Sequence, residues 1–318
     1  MCKISVIMSI YSEKEEWIKE SIDSILSQTF RDFEFIIIND NPKRKQNENL
    51  LLEYSQKDNR IIVITNKENI GLTKSLNKGL SIAKGKYIAR MDADDISFPT
   101  RFQKQIDFLD KNTEYVLCGA NISYFGSEEK IIEQEEEPSF LFIENPFAHP
   151  VVMFRNNSYL RYNENFKYAQ DYEFWSNLYK ENKKFYNIQE VLLKYRKSNQ
   201  QISNKKFIEQ QYYAGLVRRK TFNTFCSQKK IDFKIEGDIN LKTIKNFKRN
   251  ILTLKKWNKE EKVALDKFYY YLYRSIASKR YLALFYFVFS LDLFRLNILK
   301  SIKVSIYLLT NIGVKLIQ

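Results

Sequence analysis

The sequence predicts an α/β fold with a largely parallel central sheet. Over residues 1–120, short apolar runs rich in β-branched side chains alternate with segments whose apolar residues recur at helical spacing. Three of the apolar runs end in polar residues, at Ser9, at Asp40 and at Asp92. Strand and helix alternating in this way are typical of parallel sheets that bind ligands at the carboxyl ends of their strands. We therefore expect the functional residues at those ends.

The first two predicted strands and the helix between them form a β-α-β unit. Residues 3–10 are apolar and β-rich, and residues 33–38 repeat the pattern before the turn sequence Asn39-Asp40-Asn41-Pro42. The intervening residues 13–28 predict a helix. Its apolar residues at helical spacing are Trp17, Ile18, Ile22, Ile25 and Leu26.

The alternation continues through the next elements. Residues 50–55 predict a helix and residues 60–65 a third strand. Residues 71–83 predict a helix with Leu72, Leu76 and Leu80 on one face. The remaining predictions are a buried strand at 87–91, a helix at 101–109 and a fifth strand at 115–120.

The fourth predicted strand runs directly into three carboxylates, Asp92, Asp94 and Asp95. Alternation along an extended chain would put Asp92 and Asp94 on one face, where both could bind one hard divalent cation through oxygen. The alternative is an acidic turn that caps the helix beginning near Pro99, with Asp95 or Ser97 as the capping residue. The residues alone leave both interpretations open.

The net positive charge belongs to the C-terminal part of the chain. The whole sequence carries a net charge of +14, and residues 201–318 contain 24 Lys and Arg against 8 Asp and Glu. This shift in composition predicts a domain boundary near residue 200, with a domain at 1–203 and a basic helical region at 204–318.

The cysteines and the N-terminus indicate an intracellular protein. Cys2, Cys118 and Cys226 are far apart and odd in number, which favours neither a disulfide framework nor a cysteine metal site. Residues 1–8 enter an apolar run with no basic leader or cleavage site. We expect the protein in the cytoplasm.

The order of the polar motifs resembles family 2 inverting glycosyltransferases of the GT-A fold, a Rossmann-like mostly parallel sheet with flanking helices. The resemblance covers roughly residues 3–200 and is nearest to the bacterial branch that builds capsular and lipopolysaccharide chains. The residues that carry it are Val6-Ile7-Met8-Ser9-Ile10-Tyr11, Ile36-Ile37-Ile38-Asn39-Asp40, Asn66, Asn69-Ile70-Gly71-Leu72, Leu76-Asn77 and Ala89-Arg90-Met91-Asp92-Ala93-Asp94-Asp95. One departure is Asn39-Asp40-Asn41-Pro42, where the family usually has an Asp-Asp-Gly-Ser type sequence.

The resemblance implies a donor site for a nucleotide sugar. Asp40 would accept a hydrogen bond from uracil, and Ser9 would line the base pocket, although a loop hydroxyl is the plainer role for Ser9. Asp94 would ligate Mg²⁺ or Mn²⁺ directly, with Asp92 near the ribose and the metal. Asn69 and Lys74 are candidates near the diphosphate, and a solvated helix face is the alternative for Lys74.

Three further residues match family positions nearer the acceptor. His149, the only histidine, lies in a His-Pro pair expected near the donor diphosphate or the acceptor, with a purely structural role as the alternative. Asp171 matches the catalytic base, and its alternative is a helix N-cap. Arg196 matches a Tyr-Arg element that could contact phosphate, and its alternative is a surface salt bridge.

The C-terminal region predicts contact with an anionic membrane surface. The apolar run at 281–289 is too short to span a bilayer. From Ile298, the residues Ile302, Ile306 and Leu309 recur at helical spacing, which suits a helix lying in an interface. The alternative is a helical bundle packed on the catalytic domain.

These observations together predict a metal-dependent inverting glycosyltransferase of the hexosyltransferase type. It would move a sugar from UDP-hexose or UDP-HexNAc to a growing, lipid-linked surface polysaccharide, at the cytoplasmic face of the membrane and without binding nucleic acid. One alternative is a non-catalytic nucleotide-binding protein whose basic tail binds nucleic acid, although the tail has no recognisable motif for that. Another is a phosphatase with Asp92 as nucleophile, although such motifs usually follow the first strand.

Overall fold

The computed structural model describes residues 2–157, 159–181, 183–198, 206–254 and 257–277. The chain divides into two compact units. The first unit comprises Met1–Leu141 and Asn145–Val217, and the second comprises Phe142–Glu144 and the chain from Arg218 onward. The domain boundary predicted between residues 203 and 204 stays a prediction.

In the first unit, strands and helices alternate as the sequence predicts. The strands are β1 (Ile4–Ile10), β2 (Phe33–Asn39), β3 (Ile61–Thr65), β4 (Tyr87–Asp92), β5 (Ile96–Ser97), β6 (Tyr115–Gly126), β7 (Lys130–Ile132), β8 (Met153–Arg155) and β9 (Lys184–Lys197). The helices are α1 (Glu15–Leu26), α2 (Lys45–Lys57), α3 (Leu72–Ile82), α4 (Arg101–Lys111) and α5 (Gln170–Lys180), with a 3₁₀ turn at His149–Val151. The long helix α6 (Phe207–Gln228) begins in this unit and continues into the second.

Within the described residues, the nine strands form one sheet in the order β3-β2-β1-β4-β8-β6-β9-β5, with β7 paired to β6. Strands β1 to β4 pair in parallel, as do β6 and β9. Strands β5, β7 and β8 add antiparallel pairs. The predicted α/β fold is confirmed, and its parallel part places the carboxyl ends of β1, β2 and β4 side by side.

Apolar side chains cover both faces of the sheet. On one face, Ile18, Ile22 and Ile25 of α1 pack fully buried against alternate residues of β1 and β4. Each of these isoleucines contributes about 1.5–3 kcal/mol relative to an exposed position. On the other face, α3 and α5 bury Leu76 and Trp175. Because both faces are covered, polar residues of these strands can reach solvent only at the strand ends.

The second unit has an aromatic core of its own. Phe142 packs against Phe222, Phe225 and Phe268, with ring centroids 5.1–5.6 Å apart. Helix α7 (Leu241–Phe247) begins with a capping box formed by Asn240 and Thr243, and a π-helical turn (Lys248–Leu252) and helix α8 (Lys259–Ala277) follow.

None of the helices in the described part of the chain is long and apolar enough to cross a membrane. The run at 281–289 and the predicted interfacial helix from Ile298 lie outside the described residues.

Candidate active site

The carboxyl ends of three neighbouring strands bring predicted site residues together. Ser9, half-buried at the end of β1, is in register with Asp92 at the end of β4. On the other side of β1, Ile10 is in register with Asn39, the residue before Asp40. Ser9, Asp40 and Asp92 therefore lie at one edge of the sheet, although the sequence separates them by as many as 83 positions.

The carboxylate of Asp40 organises the loop that precedes α3. Asp40 is 3% exposed, and its Oδ1 accepts hydrogen bonds from Asn66 Nδ2 at 2.8 Å and from the Ile70 N–H at 2.9 Å. Its Oδ2 accepts from the Gly71 N–H at 2.9 Å. Gly71 has φ of +85°, a region that favours glycine. A carboxylate has about four acceptor positions, and three of those of Asp40 are used by these bonds. The predicted hydrogen bond from uracil stays a prediction.

Asn69 and Lys74 flank the same loop. The Asn69 Oδ1 accepts from the Gly71 N–H at 3.0 Å, which forms an Asx turn directly before α3. Lys74 is exposed in the first turn of α3. Both positions border the edge of the sheet where Asp40 lies, and their predicted contacts with diphosphate stay predictions.

A buried arginine holds Asp92. The Arg90 side chain is 2% exposed, and its Nη2 donates to Asp92 Oδ1 at 2.5 Å. Its Nε is buried and without a partner. Two residues apart on one strand, Arg90 and Asp92 lie on the same face of the sheet. Arg90 therefore fixes one oxygen of Asp92 and leaves the other for a ligand.

Asp94 and Asp95 lie in a turn that Arg196 holds from the end of β9. The Arg196 N–H donates to Asp95 Oδ1 at 2.8 Å, and its Nε donates to the Asp94 carbonyl at 2.7 Å. The guanidinium stacks between Trp17 and Phe125, 4.9 and 4.3 Å from the ring centroids, and is paired with Glu20. Arg196 thus has the salt bridge of its alternative interpretation, and its predicted phosphate contact stays a prediction.

Two interpretations of the aspartate segment are wrong. The chain turns at Ala93 and Asp94, so extended alternation does not place Asp92 and Asp94 on one face. Neither Asp95 nor Ser97 caps α4, because the N-cap is Thr100, which makes no side-chain capping bond. Asp95 instead accepts from Arg196, 101 residues later.

Crowded carboxylates perturb one another in this turn. Burial, followed by the charges of Asp92 and Glu13, raises the pKa of Asp94 to about 7. Burial, followed by the charges of Asp94 and Asp92, holds the pKa of Asp95 well above its ordinary value. Burial also raises the pKa of Glu13, whose carboxylate accepts from the Tyr11 N–H at 2.7 Å. The turn carries more negative charge than its protein partners neutralise.

Buried carboxylates are chemically compatible with a divalent cation. Among the residues that the structure describes, no three His, Cys, Asp or Glu side chains are grouped to hold a metal ion. Mg²⁺ is commonly held by one or two carboxylates together with substrate phosphates and water. The carboxylate oxygens of Asp94 and Asp92 are of the type that this mode requires, and their predicted contact with a metal stays a prediction.

Asp171 lies in the first turn of α5. The N-cap of this helix is Ala169, in the left-handed conformation with φ of 56°, so the N-cap interpretation of Asp171 is wrong. Asp171 Oδ2 accepts from Asn145 Nδ2 at 2.7 Å. Burial raises the pKa of Asp171 against the hydrogen bonds it accepts, and the charge of Asp92 also raises it. Two residues on, Glu173 is 3% exposed, and its carboxylate accepts from Asn177 Nδ2.

His149 is a packed, neutral side chain. Its Nε2 forms a hydrogen bond with the Tyr162 hydroxyl at 2.8 Å, and its ring lies 6.1 Å from that of Trp175. Burial holds the pKa of His149 well below its ordinary value, so the imidazole is uncharged at pH 7. These contacts match the structural alternative, and the predicted contact with diphosphate or acceptor stays a prediction.

Sequence reasoning gave no role to Arg90, Glu13 and Asn145. A signal existed for Arg90, because a charged residue in a buried strand needs a partner and Asp92 is two positions away on the same face. For Asn145 there was none, since 26 residues separate it from Asp171 and only the fold brings them together.

Known proteins share both the sequence pattern and the fold. Residues 5–222 match the family described as glycosyl transferase family 2. An uncharacterised glycosyltransferase of Methanocaldococcus jannaschii is 38% identical over 237 residues, 70% of this chain and 82% of that protein. The O-antigen biosynthesis glycosyltransferase WbnJ of Escherichia coli is 34% identical over 208 residues, 62% of this chain and 80% of that protein.

Solved structures show the same architecture. The Staphylococcus aureus TarS fragment in complex with UDP superposes with a TM-score of 0.57 at 16% identity, over 99% of this chain and 92% of that one. This likeness supports the GT-A fold, and the sequence match covers more than half of the chain. The protein is therefore a glycosyltransferase and belongs to glycosyl transferase family 2.

Proposed function

We propose that this enzyme transfers a hexose or N-acetylhexosamine from a UDP-linked donor to a growing surface polysaccharide, with inversion at the anomeric carbon. The observation that carries the proposal is the meeting of two acidic centres from distant parts of the sequence. Strand β4, which ends at Asp92, pairs with β8, and Phe154 of β8 packs against Trp175 of α5, the helix that contains Asp171. Burial raises the pKa of Asp171, and the charge of Asp92 adds to that effect. Inverting transfer uses such a pair, one centre for the donor and one for the acceptor.

Asp171 acts on the acceptor in this mechanism. It takes the proton of the acceptor hydroxyl as that oxygen attacks the anomeric carbon. The bond from that carbon to the diphosphate oxygen breaks at the same time, and the nucleoside diphosphate leaves from the opposite face. The raised pKa of Asp171 makes it a stronger base than an ordinary carboxylate, and Asn145 holds its other oxygen.

Asp94 and Asp92 would hold Mg²⁺ or Mn²⁺. The bound cation would stabilise the charge that develops on the leaving diphosphate. Arg90 orients Asp92, and Arg196 orients the Asp94 turn. Ser9, Asp40 and Asn69 border the space for the nucleoside, with Lys74 and His149 as further donor-side candidates.

Relatives support the choice of substrates. One TarS structure is a complex with UDP-GlcNAc, and its TM-score with this chain is 0.54. Relatives include enzymes named for O-antigen and amylovoran biosynthesis. The basic residues of 204–318 support a lipid-linked acceptor at the cytoplasmic face of a membrane. Since the relatives are glycosyltransferases, the phosphatase and the non-catalytic binding protein lose support.

The test is release of UDP from a panel of UDP-sugars, with and without Mn²⁺. We expect slow metal-dependent hydrolysis of one donor by the intact protein. Asp94→Ala should abolish it, and Asp171→Asn should reduce it by about 10²–10⁴-fold, the usual contribution of a general base. Asp32→Ala, which removes an exposed carboxylate far from the turn, is the matched control and should leave the rate unchanged.

Two results would contradict the proposal. Turnover that persists in Asp94→Ala at the rate of the intact protein would show that Asp94 does not bind a catalytic metal. Full activity of Asp171→Asn would show that Asp171 is not the catalytic base.

A further inference from the structure

The side chain of Asn145 is bonded at both ends of its amide. Its Nδ2 donates to Asp171 Oδ2 at 2.7 Å, and its Oδ1 accepts from the Phe147 N–H at 3.3 Å. The backbone N–H can only donate, so it requires the amide oxygen on its side. The amide nitrogen must then face Asp171, which receives a donor hydrogen and not a lone pair.

The chain around Asn145 is fixed on both sides. Downstream, the Pro146 carbonyl accepts from Asn187 Nδ2 at 3.1 Å, and the Phe147 ring packs 5.7 Å from that of Trp175 in α5. Upstream, the Leu141 carbonyl accepts from the hydroxyl of Tyr172, the residue after Asp171. Asn145 therefore cannot follow a rotation of the Asp171 side chain.

We propose that Asn145 is a positioning residue for Asp171. Its hydrogen bond fixes one carboxylate oxygen of Asp171, so that the other oxygen faces the acceptor hydroxyl. The inference rests on the proposed function, in which Asp171 removes the acceptor proton. It adds a residue that orients the base, 26 positions before Asp171 in the sequence.

The hydrogen bond from Asn145 has a second effect, on the protonation of Asp171. A donor to a carboxylate favours its charged form, and the Asn145 bond lowers the pKa of Asp171 against the effect of burial. The other groups that act on this carboxylate are its own N–H and that of Tyr172, the charge of Asp92 from β4, and the Tyr162 phenol. Without Asn145, Asp171 would stay protonated to a higher pH.

The experiment is the pH profile of kcat/KM for UDP release, in the full-length protein, with the UDP-sugar of the panel that turns over fastest. Asn145→Ala should move the acidic limb to higher pH by about one unit, because a base is inactive when protonated. Asn145→Asp keeps the shape and the acceptor for Phe147 but faces Asp171 with a second carboxylate, and should move the limb by about two units. KM for the donor should change less than twofold in both variants.

Asn156→Ala is the matched control. The side-chain amide of Asn156 also makes two hydrogen bonds, with its Nδ2 donating to the carbonyls of Ala83 and Gly85, and neither involves Asp171. Its loss should lower stability without moving the pH profile.

The outcomes separate this inference from the function on which it rests. If Asp171→Asn is inactive and the Asn145 variants keep the profile of the intact protein, the positioning role is overturned and the function stands. If Asp171→Asn is fully active, both are overturned. Should Asn145→Ala fail to fold, the isosteric Asn145→Asp decides the question in the same way.

Discussion

At the scale of single residues, the site is built from charges that the fold has taken partly out of water. Arg90 and Asp95 are almost completely buried, and Arg90 Nε and Asp95 Oδ2 have no hydrogen-bond partner. Buried polar atoms without partners are costly and are concentrated where a protein binds or reacts. Both atoms lie beside Asp92 and Asp94, at the donor site that we propose.

Asp40→Asn separates the structural role of Asp40, which holds the loop before α3, from its predicted role in binding uracil. The carboxylate accepts from two backbone N–H groups and from Asn66. The NH₂ group of an asparagine at this position would face at least one of these N–H donors and could not accept from it. We expect the free energy of unfolding to fall by about 2–3 kcal/mol, the size of hydrogen bonds to a charged group. Urea unfolding measures this, with Asp32→Asn as the exposed control. Unchanged stability together with a tenfold loss of UDP affinity would mean that Asp40 acts only on the base.

The sequence predicted where the site carboxylates lie but not what holds them. Asp40, Asp92 and Asp94 follow strands, so periodicity alone brings them to one edge of the sheet. The partners of these residues are remote: Arg196 is about a hundred positions from Asp94 and Asp95. Periodicity is a local signal and contains no information about such contacts.

At the scale of elements, the best predicted strands are those buried on both faces. All seven residues of β2 are buried, and its composition is strongly apolar. Strands β7 and β8 have three residues each, too few to show a period. Strand β6 continues to Gly126, past the predicted end at 120, because it pairs in parallel with β9 as far as Lys197. The sequence did not predict this extension or the antiparallel strands β5, β7 and β8.

Asp110 joins the N-terminal ends of β1 and β4 to α4. Its carboxylate accepts from Lys3 at 2.8 Å, Lys86 at 2.6 Å and Tyr87 at 2.5 Å. Burial raises the pKa of Asp110, but these three bonds outweigh burial and hold the pKa below its ordinary value. A lowered pKa contributes stability above the unfolded value of about 3.9, and that stability is lost as the pH falls further.

We expect Asp110→Asn to lower the free energy of unfolding by about 1 kcal/mol at pH 7, since the carboxylate is one-third exposed and screened by solvent. The difference between variant and intact protein should shrink below about pH 4. Urea titrations at pH 7, 5, 4 and 3 measure it, with Asp107→Asn on the same helix as control. A difference that stays constant down to pH 3 would contradict the charge-based explanation.

At the scale of the whole molecule, charge is distributed unevenly along the chain. Residues 201–318 carry a threefold excess of basic over acidic side chains, whereas the preceding residues are close to neutral. A basic segment interleaved with apolar residues is attracted to anionic lipid by about 1 kcal/mol for each basic side chain near the surface. The catalytic fold itself has no such excess.

The full-length protein should therefore sediment with vesicles that contain anionic lipid, and added salt should release it. Changing Lys300, Lys303 and Lys315 to Gln should weaken binding by about 3 kcal/mol, on the order of a hundredfold. The matched control changes the exposed Lys43, Lys45 and Lys57 to Gln. Salt-sensitive binding to duplex DNA without binding to vesicles would favour a nucleic-acid partner instead.

The hydrogen bonds from Arg196 to the aspartate turn affect the order in which parts of the chain can fold during synthesis. Arg196 lies 101 residues after Asp95, and contacts of that separation form late because a long segment must first be ordered. At about 5–20 residues per second, a ribosome adds Arg196 roughly 5–20 s after Asp95. Throughout that interval the nascent chain has its acidic turn but not the guanidinium that orders it. In the mechanism that we propose, the donor site is then complete only after β9 has left the ribosome.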